Sequence, residues 1–218
     1  MDNEKRVGHG DVPKLFKKDE NCEVENMKKY NIEIEGTADM MQNRLNKELN
    51  DEIKKVPRAD LEKWEEDNWR KKLYTREVDG KMIVVLPANN ILSALEEGAR
   101  KYRVPAPKIV GRTWTAYVKS TVILDEDYGI LENCEVMKLG CMVNGNPSNT
   151  KKSSKVYKVR PVIRRGWKCK FSVVDLDDKL DVQTLTELFK SAGMYVGIGD
   201  WRPRYGRFTV TKVLEVRS

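Results

Sequence analysis

Between Lys151 and Lys170 the chain carries nine lysines and arginines and no acid: Lys151, Lys152, Lys155, Lys158, Arg160, Arg164, Arg165, Lys168 and Lys170. The whole chain has a formal net charge of +7, so the remainder is slightly acidic and the basicity is local. Cations at this density neutralise phosphates and release condensed counterions, and the chemistry they predict is salt-dependent binding of a nucleic-acid backbone. The ordinary alternative is a solvated basic strand pair. A second group lies in Gly197-Ile198-Gly199-Asp200-Trp201-Arg202-Pro203-Arg204-Tyr205-Gly206-Arg207-Phe208. Its glycines let a main chain approach phosphates closely, Arg202, Arg204 and Arg207 supply charge and forked donors, and Trp201 and Tyr205 offer stacking surfaces. Tyr157 and Trp167 interleave the first basic run in the same way. The alternative for the loop is a structural turn whose arginines pair with Asp200 or nearby acids.

Catalytic chemistry is poorly provided for. The one histidine, His9, lies between Gly8 and Gly10 in a polar stretch, whereas a general base needs a positioned partner. For metal-independent RNA cleavage, Tyr157 and Lys158 are the remaining acid–base candidates. Asp125 with Asp127, and Asp175 with Asp177 and Asp178, read as solvated turns rather than metal ligands. Cys22, Cys134, Cys141 and Cys169 are scattered, form no C-x-x-C pair and read as reduced thiols, with Cys169 a small buried hydrophobe. No catalytic residue, metal or cofactor is therefore assigned. No apolar run approaches the roughly 18 residues of a membrane span, and Met1-Asp2-Asn3-Glu4 does not open a signal peptide, so a cytoplasmic protein without a membrane partner is expected. No recognition-helix or zinc-finger pattern points to duplex DNA.

The elements that must position these groups are read from periodicity. Residues 1–30 are expected to be a flexible N-terminal arm and 31–218 a single domain. Ile32 to Gly36 alternates as a first strand. About 39–72 reads as a two-helix insertion, with Met40, Met41, Leu45, Leu49 and Ile53 at helical spacing, followed by Pro57, Leu61, Trp64 and Trp69. A strand at Lys81–Leu86 leads through Pro87 into a helix marked by Ile91, Leu92, Leu95, Ala99 and Tyr102. Arg112 to Leu124 alternates as a long strand through Trp114, Ala116, Val118 and Val122. Val136–Val143 and Val156–Ile163 form a hairpin, about 136–163, with a flexible tip. Trp167, Cys169, Phe171 and Val173 face a core and leave Lys168 and Lys170 on the opposite face. Val182 to Ala192 is a helix capped by Asp181 and ended at Gly193, and Phe208 and Val210 open a closing strand. Two β-α-β units returning to one sheet predict an α+β, ferredoxin-like (RRM-like) antiparallel sheet with a helical insertion and a β-hairpin extension.

The place and composition of the glycine- and arginine-rich loop resemble the RAMP superfamily of CRISPR effector subunits, whose C-terminal glycine-rich loop ends in a similar run. Leu86-Pro87-Ala88-Asn89-Asn90-Ile91-Leu92-Ser93-Ala94-Leu95 resembles that family's entry into its first helix, although Ala88, Asn89 and Asn90 stand where the family has small glycine and serines. Ile34-Glu35-Gly36-Thr37 sits where its first strand ends. The resemblance implies single-stranded RNA binding, with the helix after Pro87 and the glycine-rich loop bracketing the strand. It also implies self-assembly along RNA or incorporation into a CRISPR-type complex. Single-stranded DNA as the ligand, a mimic or inhibitor of such a complex, and a metal-independent endoribonuclease of the same superfamily are the alternatives.

Overall fold

A computed structural model describes residues 27–144 and 155–216. His9, Cys22, Lys151, Lys152 and the expected hairpin tip lie outside the described residues, as does most of the expected arm. In chain order the elements are β1 (Lys28–Gly36), β2 (Met40–Met41), α1 (Lys47–Lys55), α2 (Leu61–Asn68), β3 (Thr75–Val78), β4 (Lys81–Pro87), α3 (Ala88–Lys101), α4 (Trp114–Thr121), β5 (Val122–Leu124), β6 (Tyr128–Glu132), β7 (Val136–Asn144), β8 (Lys155–Ile163), β9 (Lys168–Asp175), α5 (Val182–Tyr195) and β10 (Phe208–Val216). The first strand thus begins at Lys28, inside the stretch expected to be an arm.

The main sheet runs β10-β1-β9-β6-β4-β3, with β5 also paired to β9, and its pairings are antiparallel. β5 and β6 lie along the same neighbour: Val122–Leu124 oppose Val173–Asp175, and Ile130–Glu132 oppose Lys168–Lys170. They are one strand interrupted at Asp125–Asp127. With that strand counted once, β1, α3, β5/β6, β9, α5 and β10 form the ferredoxin-like β-α-β-β-α-β arrangement, and β4 and β3 extend its edge. One face of the sheet supplies Tyr30, Ile32, Ile34, Cys169, Phe171 and Val173 to a core that α3 and α5 complete with Ile91, Leu95, Leu185, Leu188 and Phe189. The helices touch closely: a Cβ on Gly98 would lie 2.6 Å from the backbone nitrogen of Ala192, and Ser191 Oγ donates to Gly98 O at 2.8 Å. A second sheet, β2-β8-β7, carries the long hairpin. Among the described residues no helix is long and apolar enough to cross a membrane.

Three sequence expectations are corrected. The predicted strand at Arg112–Leu124 is helix α4 followed by the short β5. Thr113 accepts a hydrogen bond from Ala116 N and caps the helix, and the buried residues Trp114, Tyr117, Val118 and Thr121 recur at helical rather than alternate positions. Met40 and Met41 form strand β2 opposite Ile163 and Val162, and the helices of the insertion begin only at Lys47. Gly193 does not end α5. It lies inside the helix, where a Cβ would meet Phe208 O at 2.1 Å, and the chain turns at Gly197 in the left-handed region, φ 75°. Strands β3 and β6 were not expected.

The insertion is fastened to the hairpin by a buried charge. Glu65 on α2 is fully buried, ion-paired to the equally buried Lys72, and accepts from Lys158 Nζ at 2.9 Å and Val159 N at 2.8 Å. Lys72 also donates to Val159 O at 2.9 Å. Beside this group, Glu66 takes Tyr157 and Lys138 of the two hairpin strands. Burial raises the Glu65 carboxyl, but the hydrogen bonds from Lys158, Lys72 and Val159 outweigh it and hold the group below the usual carboxylate range. Its contribution to stability is therefore present above the unfolded carboxylate value of about 4.3 and is lost as pH falls through the lower folded value.

Glu65→Ala leaves Lys72 buried without its counter-charge and is expected to cost about 3–5 kcal/mol in urea unfolding near pH 7. Urea titrations repeated toward pH 3 should show a shallower acid loss for Glu65→Gln than for the parent, and parallel acid limbs would remove Glu65 from that role.

Candidate nucleic-acid interface

The stretch from Gly197 to Arg207 is held by its backbone. Gly197 N donates to Ala192 O at 2.8 Å, Ile198 N to Gly206 O at 2.9 Å, and Asp200 N to Met41 O at 2.8 Å, where Met41 and Asp200 form an isolated bridge. Gly206 N donates to Asp39 O at 2.8 Å, and Arg207 O accepts from Thr37 N at 2.9 Å. The glycines are required by this closeness. Gly206 has φ 76° and a Cβ there would lie 1.7 Å from Ile198 O, while at Gly199, φ 91°, it would lie 2.4 Å from Met41 O. The Arg202–Pro203 peptide bond is cis.

Fixed backbone presents mostly exposed side chains. Trp201, Arg202, Arg204 and Arg207 are exposed and Tyr205 is half-buried, with the Trp201 and Tyr205 ring centroids 6.1 Å apart. Arg202 lies 3.5 Å from Glu97 on α3, and Arg207 Nε donates to Pro203 O at 3.1 Å. Asp200 turns inward: one carboxylate oxygen accepts from Trp201 N at 3.1 Å and the other is 3.7 Å from Arg160 Nε. Of the loop arginines, Arg202 thus meets the structural-turn alternative through Glu97, Asp200 pairs instead with Arg160 from β8, and Arg204 and Arg207 have no acid within 4.0 Å among the described residues.

Between this loop and the start of α3 lies a recess of about 170 Å³ bounded by Gln42, Asn43, Tyr74, Asn90, Gly199 and Asp200. Tyr74 also lines a second recess, of about 240 Å³, whose walls include Arg44, Arg76, Pro87, Asp127 and Tyr128, and the two adjoining recesses are together called the groove. Gln42 builds it: its Nε2 donates to Val85 O at 3.0 Å and its Oε1 accepts from Tyr74 N at 2.9 Å. Arg44 N donates to Lys72 O at 2.8 Å, so the buried ion pair also places Arg44. The Arg76 guanidinium lies 6.0 Å from the Tyr128 ring centroid. Asn43 Oδ1 is buried and has no hydrogen-bond partner among the described residues. Burial pushes the Tyr74 phenol up, with Arg44 pulling the other way.

The basic run does not form one face. Lys158 is tied to Glu65, Arg160 to Asp200 and Tyr157 to Glu66. Trp167 is fully buried, its indole N–H donating to Ala38 O at 3.0 Å, and cannot stack on a base. Lys168 and Lys170 stand on the open face of the main sheet, 3.8 Å from Glu35 and 2.9 Å from Glu132. Lys155 is exposed near the end of the hairpin. Arg164 and Arg165 are exposed in the turn after β8, and Arg165 N donates to Asp39 Oδ1 at 2.8 Å, on the residue whose carbonyl holds Gly206. Of the predicted residues, the fold thus gathers Arg164, Arg165, Trp201, Arg202, Arg204, Tyr205 and Arg207 at one corner. It adds Arg44, Tyr74, Arg76 and Tyr128, which no spacing in the sequence marked. As for cleavage, the Tyr157 phenol is pushed up by its hydrogen bond to Glu66, the direction opposite to what a general base needs.

No protein-family model matches the chain, and no curated protein matches it by sequence. Among solved structures, it superposes on a chain in the cryo-EM structure of the Type III-B Cmr-beta bound to cognate target RNA with a TM-score of 0.51 at 9% identity, covering 88% of this chain and 61% of that one. This chain therefore spans less than two thirds of that neighbour. Cmr6 from Pyrococcus furiosus matches with a TM-score of 0.40 at 10% identity, over 84% of this chain and 97% of the other. At 9% identity the first likeness is one of fold alone, and at that level it bears out the ferredoxin-like reading.

Gly206→Ala is expected to cost about 1–3 kcal/mol from its left-handed backbone alone. Hydrogen exchange should quicken at Ile198 and Asp200 while the amides of β1 stay protected, and unchanged exchange at Ile198 would show that the loop does not depend on this glycine.

Proposed function

We propose that this protein binds single-stranded RNA as a subunit of a CRISPR-type effector complex, and that the strand lies along the groove between the glycine-rich loop and the start of α3. The observation that carries the reading is the corner itself, where a backbone-locked loop holds three arginines and two rings beside a groove with two further arginines and two tyrosines. Phosphates would lie on Arg202, Arg204 and Arg207, with Arg164 and Arg165 flanking. Bases would stack on Trp201, Tyr205 and Tyr74, a sequence-tolerant mode because every base has a flat face. Arg44 and Arg76 continue the positive track past Tyr74.

The lysines paired on the open sheet face, Lys168 and Lys170, take no direct part in this reading, nor does Lys158. The protein acts as a binder rather than a nuclease, since the corner offers cations and rings but no base poised beside an acid. The first measurement is fluorescence anisotropy with a labelled single-stranded RNA across a salt series. Arg202→Ala, Arg204→Ala and Arg207→Ala together should weaken binding and lower the salt slope by about 2, whereas Lys168→Ala with Lys170→Ala should leave both close to the parent. If the triple variant binds as the parent does, the loop is not the site. Parallel titration with single-stranded DNA of the same sequence distinguishes the two ligands.

A further inference from the structure

A separate cavity of about 480 Å³ opens between the end of α3 and the start of α4. Arg100, Arg103 and Arg112 line it, and its walls contain no aspartate or glutamate. Arg112 is held from behind: it donates to Ser120 Oγ at 2.8 Å and to Asp177 Oδ2 at 2.5 Å, and its guanidinium lies 5.3 Å from the Tyr117 ring centroid. Arg100 and Arg103 are exposed, with no acid within 4.0 Å among the described residues. Thr113, Trp114 and Thr115 bring the positive end of α4 to the same hollow. Like charges gathered in a concavity repel one another and focus a positive potential, which a bound anion relieves.

The remaining wall is largely apolar and includes Tyr102, Val104, Pro105, Ala106 and Trp114. Trp114 is 6% exposed and its indole N–H has no acceptor among the described residues, an unusual state for a buried donor. A volume of this size suits a small ligand. We infer that this cavity binds a nucleotide phosphate, with the phosphoryl oxygens forked between Arg100 and Arg103 and the base against Tyr102 and Pro105. Arg112, already paired with Asp177, walls the site rather than offering a free fork. A phosphate is favoured over a carboxylate because it offers three oxygens to two free guanidinium groups. A free mononucleotide and the 5′-phosphorylated end of an RNA strand carry the same group.

The test is calorimetric titration of the full chain with 5′-AMP and with adenosine. AMP should bind at one site per chain, adenosine at least about tenfold more weakly, and Arg100→Ala with Arg103→Ala should weaken AMP by a similar factor. Both arginines are exposed, so circular dichroism of the double variant should match the parent. Equal affinity for AMP and adenosine, or full AMP affinity in the double variant, overturns the inference. If AMP gives no heat, a preference for 5′-phosphorylated over 5′-hydroxyl RNA that the double variant loses assigns the site to an RNA end, and no such preference overturns it. The glycine-loop triple variant should keep its AMP affinity, so this outcome is independent of whether the loop binds RNA.

Discussion

A single buried carboxylate, Glu65, decides how the parts outside the main sheet are placed. A charge so deep persists only if its oxygens are satisfied, and here three groups from two places satisfy them: Lys72 at the end of the insertion, and Lys158 with the backbone of Val159 on β8. The insertion cannot slide along the hairpin without stranding that charge. Because the carbonyl of Lys72 holds Arg44 and the chain then passes straight into Tyr74, the same constraint orders one side of the groove. Gln42 completes the arrangement by joining β2 to β4 and to Tyr74 through one amide. An electrostatic requirement in the interior thus becomes a geometric one at the surface.

The opposite side of the groove is ordered by a different means. Its loop anchors Ile198 in the core and is otherwise held by main-chain hydrogen bonds to residues 37–41, and three glycines at positive φ allow the close approaches those bonds need. The side chains are then released from structural duty and stand outward. A loop fixed in this way loses little conformational freedom when a ligand arrives, which favours affinity without adding contacts.

Much of the fold was legible because its cues are local. The alternation of β9, the stripe and Asp181 cap of α5, the Pro87 entry to α3 and the hairpin strands all declare themselves within a few residues. The misread segments are those in which a short helix or strand takes its identity from distant neighbours. Trp114 to Thr121 fits two periods over eight residues, and only the Thr113 cap and the packing against α3 choose between them. β2 is two residues long and exists because β8 lies beside it. The basic run was visible as charge, but strand alternation and distant acids such as Glu65, Glu132 and Asp200 divide it between separate surfaces. Arg44, Tyr74, Arg76 and Tyr128 come together through β2, β3, β4 and β6 and the segments beside them, so no linear pattern contains them.

On the open face of the main sheet, four lysines are matched with acids: Lys29 with Asp125, Lys168 with Glu35, Lys170 with Glu132 and Lys212 with Glu33. The field of such closely spaced opposite charges cancels over a short distance, well within the Debye length of about 8 Å at physiological salt. To a polyanion still several ångströms away, that broad surface is nearly silent. Arg164, Arg165, Arg204 and Arg207 at the corner, with no acid within 4.0 Å among the described residues, are what it meets first, so the fold biases the orientation of an encounter before any contact forms.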